Sequence, residues 1–92
     1  MNENEILKKA VEHFGVYPQM FMLCEEMAEL TKAIMKCKRY DFDCSTDNLM
    51  EEIADVEIMI EQMRIIFNTD IIDKYRVEKL ERLSTIIQNE ED

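Results

Sequence analysis

Leu23-Cys24-Glu25-Glu26-Met27-Ala28-Glu29-Leu30 is echoed further along the chain by Leu49-Met50-Glu51-Glu52-Ile53-Ala54-Asp55-Val56. Each segment repeats apolar residues at the three- and four-residue spacing of an amphipathic helix, and each carries a pair of acids three residues apart. Two amphipathic helices in an acidic protein share composition by chance; these two also share the order of residue types. At roughly 100° per residue, Glu26 and Glu29 are neighbours on one helix face, as are Glu52 and Asp55. Glu26 falls between Leu23, Leu30 and Ile34 on one flank and Ala33 and Met22 on the other, with Glu29 beside Met22, while Lys32, Lys36 and Glu25 take the exposed arc. Glu52 sits between Leu49, Val56 and Met63 on one side and Met59 and Ile66 on the other, with Asp55 one step along. Both acid pairs are therefore expected on the core side of their helices.

Working outward, four helices are expected, over about residues 4–14, 18–39, 47–67 and 70–89. The first has Asn2 or Asn4 as its cap, an apolar stripe of Ile6, Leu7, Ala10, Val11 and Phe14, and Gly15 as its stop. Pro18 suits the first turn of the second, which continues through Met20, Leu23, Met27, Leu30 and Ile34. A polar loop over residues 40–45 leads to Ser45, Thr46 or Asp47 as cap of the third, whose stripe is Leu49, Ile53, Val56, Ile60, Met63 and Phe67. Asn68-Thr69-Asp70 interrupts the pattern and caps the fourth, with Ile72, Leu80, Leu83 and Ile87 on one side. Short connections imply an antiparallel four-helix bundle, all-α and a single domain over residues 1–92.

Composition agrees. A chain of 92 residues holds one small core, and a single Gly and a single Pro leave too little turn punctuation for many strands. The formal charge of -10 repels nucleic-acid backbones and anionic membranes, and the apolar runs are too short to span a bilayer. Cys24, Cys37 and Cys44 are odd in number and form no C-x-x-C pair, so neither a disulfide framework nor a zinc knuckle is suggested, and a reducing cytoplasm fits.

Four carboxylates on core-facing positions demand an explanation that Glu51, Glu57 and Glu61, on wet faces, do not. Burying acids side by side costs desolvation and repulsion, so they are protonated, paired with cations or bound to metal. Oxygen-only ligands suit Mg²⁺ or Mn²⁺. A di-iron bundle would instead need Glu-x-x-His, and His13 does not stand three residues after a glutamate. Opposite charge is available from Lys79 and Arg82 on the fourth helix, where phosphate contact and simple covering of apolar surface are both open, and from Lys36 and Arg39 at the end of the second.

Glu26-x-x-Glu29 followed by Glu52-x-x-Asp55 resembles the paired acid signature of the MazG-like all-α nucleoside triphosphate pyrophosphohydrolases. The similarity also takes in residues 15–19, the stretch 25–30 with Lys36 and Arg39, residues 51–56 and Lys79-Leu80-Glu81-Arg82-Leu83, and so spans most of the chain. The resemblance implies hydrolysis of a nucleotide between its α and β phosphates, giving a nucleoside monophosphate and pyrophosphate. It implies Glu26, Glu29, Glu52 and Asp55 as ligands of Mg²⁺ or Mn²⁺, with Glu29 orienting the attacking water. It implies Lys36, Lys79 and Arg82 as phosphate contacts and Gln19, with Phe14, Tyr17 and Phe21, near the base. It also implies a homo-oligomer, dimer or tetramer. Ala54, Ile58 and Ile65, a second apolar strip on the third helix away from the acids, supply an independent motive for self-association. Two other readings stay open: a non-enzymatic helical interaction module with a structural cation, and a phosphoribosyl-ATP pyrophosphohydrolase.

Overall fold

A computed structural model describes residues 1–39, 41 and 48–91. Among them are four α-helices and no strand: α1 (Glu3–Phe14), α2 (Val16–Arg39), α3 (Leu49–Ile66) and α4 (Thr69–Glu91). The expected loop, apart from Asp41, and the candidate caps Ser45, Thr46 and Asp47 lie outside the described residues.

The helix ends follow from local chemistry. Asn2 caps α1: its Oδ1 accepts the Glu5 N–H at 2.9 Å, and its Nδ2 donates to Glu5 Oε1 at 2.9 Å. This reciprocal pair satisfies a free backbone donor in the first turn and places an acid at the positive end of the helix dipole. Gly15 serves two helices at once. Its N–H donates to Val11 O at the end of α1, and its own carbonyl accepts the Gln19 N–H at the start of α2. Its φ of 99° is open to glycine, and a Cβ there would lie 3.3 Å from Pro18 Cδ. α2 consequently begins at Val16, two residues earlier than expected, because Pro18 lies inside the first turn, where its missing N–H has no intrahelical acceptor to lose. Between α3 and α4 only Phe67 and Asn68 intervene. Asn68 Oδ1 accepts from the N–H groups of Asp70 and Ile71, and Arg64 Nη1 donates to Asp73 Oδ1 at 2.6 Å and Thr69 Oγ1 at 3.2 Å, which pins this corner.

α2 and α3 form the main interhelix seam, and α1 packs on both. On α2 the buried or half-buried positions are Met20 together with Gln19, Leu23, Glu26, Leu30, Ala33 and Cys37, the last six alternating by four and three. This is the seam spacing of helices packed side by side, and a glutamate occupies one of its central positions. Gln19, near the start of α2, meets Gln62, late in α3: Gln19 Nε2 donates to Gln62 Oε1 at 2.7 Å with both residues buried. Gln62 Nε2 in turn points to Met59 Sδ at 3.8 Å. Cys37 is buried and disulfide-bonded, which the odd cysteine count and spacing did not suggest; Cys24 is free and exposed.

The core of one chain is small. Leu7, Ala33, Cys37 and Met59 are its buried apolar residues among those described, and no large side chain is fully enclosed. Of the expected stripes, Ile6, Phe14, Met27, Ile34, Ile53, Ile60 and Phe67 remain exposed. Among the described residues, α4 approaches α3 alone and has no buried residue, and its stripe residues Leu80, Leu83 and Ile87 are exposed as well. The radius of gyration is 16.7 Å, against about 12 Å for a compact domain of this length. No helix of the described residues is long and apolar enough to cross a membrane.

Candidate functional site

The seam positions of α2 and α3 carry Glu26, Glu52 and Asp55 to one place. Each offers a carboxylate oxygen, and the three oxygens lie within 4.8 Å of one another. Glu52 is the buried member, 9% exposed, and Glu26 and Asp55 are half-buried. Its two oxygens differ. Oε1 accepts from Asn48 Nδ2 at 2.9 Å, whereas Oε2 is buried with no hydrogen-bond partner among the described residues. Asn48 precedes α3 but makes no side-chain cap bond to it, so its amide is free to hold Glu52.

The electrostatics follow from this crowding. Burial pushes the Glu52 carboxyl above its ordinary value, and the neighbouring charges of Asp55, Glu26, Glu29 and Glu51 push it further in the same direction. An orphaned oxygen on a carboxyl that resists ionisation is an unfavourable arrangement by itself, and a cation would relieve it. The donor set, three carboxylates and no nitrogen or sulfur, is of the hard-ion kind.

Beside the cluster is a cavity of about 190 Å³ lined by Glu29, Lys32, Ala33, Lys36, Asn48 and Glu52. Acids and two lysines share its wall, so it offers positive charge next to a site for a cation. Glu29 is exposed rather than turned to the core: it lines this cavity and does not join the three-oxygen cluster. Lys36, a phosphate contact by the resemblance and on the outer arc by helical spacing, is on the cavity. Lys32 is too, although its helical position puts it on the outer arc; the cavity is open enough to reach that arc.

The remaining sequence candidates are not brought here. Gln19 is buried near the other end of α2 with its amide engaged by Gln62. Lys79 and Arg82 are exposed on α4, which lines no part of the cavity and, among the described residues, approaches only α3. Asn48 and Gln62 escaped sequence reading because a third helix expected from residue 47 leaves Asn48 as an ordinary first-turn position, and a glutamine within a helix reads as solvated surface. The seven-residue spacing that links Glu52 to Met59, both buried, was the available signal for that face.

No protein-family model matches this chain, and neither does any curated protein or any solved structure.

Proposed function

We propose that this chain is a metal-dependent nucleotide pyrophosphohydrolase that cleaves a nucleoside triphosphate between the α and β phosphates. The observation that carries the reading is the convergence of Glu26, Glu52 and Asp55, with the buried, unpartnered Oε2 of Glu52, beside a cavity that also holds lysines. Glu26, Glu52 and Asp55 would hold Mg²⁺, with Mn²⁺ as the alternative of similar preference. When bound, the divalent ion neutralises charge on the phosphates and makes a nearby water more acidic. Glu29, exposed on the cavity wall, is suited to accept a proton from a water and orient it. Lys32 and Lys36 are suited to meet phosphate oxygens, and Asn48 engages one oxygen of Glu52 while the other is left without a hydrogen-bond partner among the described residues.

The antiparallel order of the bundle belongs to the same reading. Gln19 at the start of α2 meets Gln62 late in α3, while Lys36 near the end of α2 shares a cavity with Asn48 at the start of α3. Self-association is supported by the small core, by exposed Ile58, and by an α4 with no buried residue. The cytoplasmic location expected from cysteine usage is supported by free Cys24 and opposed by bonded Cys37.

The test is incubation with a panel of nucleoside triphosphates and Mg²⁺, with products resolved as pyrophosphate or orthophosphate. Release of pyrophosphate and nucleoside monophosphate is expected. Orthophosphate as the product, or no turnover, overturns the proposal; Mg²⁺ binding without turnover would favour the structural-cation reading.

A further inference from the structure

Two exposed features of this chain complement each other. The first is a groove of about 290 Å³ between α1 and α3, with Ile6, Leu7 and Ile58 as its apolar lining and Glu3 and Glu61 as its acids. The second is the uncovered face of α4. At roughly 100° per residue, Ile72, Tyr75, Leu80, Leu83, Ile86 and Ile87 form one arc of that helix. All but half-buried Ile72 are at least 42% exposed. Arg76, Lys79 and, in the last turn, Glu90 fall inside the arc, Arg82 and Asp73 stand at its two edges, and Glu78 and Glu81 lie on the opposite side. The face that needs covering is thus apolar and net basic, since Arg76, Lys79 and Arg82 outnumber Glu90 and Asp73 and Asp73 is already bonded to Arg64, in a chain whose net charge is -10. The groove is apolar and acidic.

A chain does not seat its own α4 there, because among the described residues α4 approaches α3 alone and makes no approach to α1, which forms half of the groove. The corner held by Arg64, Thr69 and Asp73 sets α4 on that course. We infer that α4 of one copy lies in the α1–α3 groove of a second copy, reciprocally, with Lys79 and Arg82 against Glu3 and Glu61 of the other chain. This rests on the self-association proposed above and names the segment that produces it. A two-fold pair repeats the contact twice, covering both uncovered α4 faces and both grooves with one interface type. Lys79 and Arg82 then belong to the interface rather than to a phosphate.

The test uses two full-length variants, Glu3→Lys/Glu61→Lys and Lys79→Glu/Arg82→Glu, with mass read by light scattering across a dilution series and helix content by circular dichroism. Each variant alone sets like charges across both contacts, and its dissociation constant is expected to rise at least tenfold over the unaltered chain. In an equimolar mixture, every contact again pairs acid with base, so a heterodimer with near-original affinity should form. Glu61→Lys and Lys79→Glu singly, mixed in the same way, repeat the comparison should a double variant lose helix content. An unaltered chain that is monomeric sinks self-association altogether. An oligomer whose affinity neither variant changes overturns the α4 placement and leaves self-association standing. Weakening without rescue in the mixture overturns exchange between copies.

Discussion

Replacing Gln19 by leucine should destabilise the fold, and replacing Gln62 as well should restore it. The two amides form a 2.7 Å hydrogen bond at the α2–α3 seam, with Gln19 6% and Gln62 4% exposed. Gln19→Leu leaves Gln62 Oε1 buried without its donor, and Gln62→Leu leaves Gln19 Nε2 without its acceptor. A buried polar group stripped of its partner costs about 1–3 kcal/mol, whereas exchanging both partners for apolar groups of similar shape is nearly neutral. Each single variant should therefore melt lower by an amount on the order of 5–20 °C for a domain of this size. The double variant should melt close to the parent, giving a coupling energy of at least about 1 kcal/mol. Thermal and urea denaturation at one fixed protein concentration measure all four proteins, because self-association would otherwise shift the midpoints. A double variant whose loss equals the sum of the singles would mean that the two glutamines do not share a buried bond.

Other predictions concern the carboxylates. Mg²⁺ at about 100 times its dissociation constant should add about 2.7 kcal/mol of stability, and an unchanged melting temperature at millimolar Mg²⁺ would count against a preformed cation site. In chelator, the raised Glu52 carboxyl makes the folded state hold its proton more tightly than the unfolded state. Its contribution is therefore fully present below glutamate's ordinary value and is lost as pH rises through the raised folded value. Urea titrations across that window should show metal-free stability falling with pH for the parent and less steeply for Glu52→Gln. Glu52→Gln should also melt no lower than the parent in chelator at neutral pH, since it exchanges a repelling oxygen for a donor beside Glu26 and Asp55; calorimetry checks this. Glu57→Gln, on an exposed position, should leave melting temperature and turnover as they are.

Much of the local structure could be read before the fold was seen, where one residue decides the geometry. Gly15 and Asn68 mark helix junctions because a positive φ and an N-terminal acceptor are chemical requirements, and the junctions fall where they stand. The acid face of α3 was readable from Glu52's place between two apolar flanks, and Glu52 is buried. Glu29 was not: three residues from Glu26 on a helix is a rotation of about 60°, enough to move a side chain from a seam to its rim. The apolar arc of α4 could be read as a face in need of cover, but periodicity does not say which surface covers it, and in one chain nothing among the described residues does. Likewise, cysteine spacing bears on metal ligation and says little about a bridge such as that of Cys37.

One assay decides whether Glu26, Glu52 and Asp55 hold a divalent ion for pyrophosphate release. Pyrophosphate formed from nucleoside triphosphates is measured for the parent and Glu52→Gln, each with Mg²⁺ and with chelator. Release is expected from the parent with Mg²⁺ alone, with loss of at least about a hundredfold in the variant, the scale of losing one electrostatic stabiliser of the transition state. Release that persists in chelator, or that Glu52→Gln leaves unchanged, would contradict that role of the three acids.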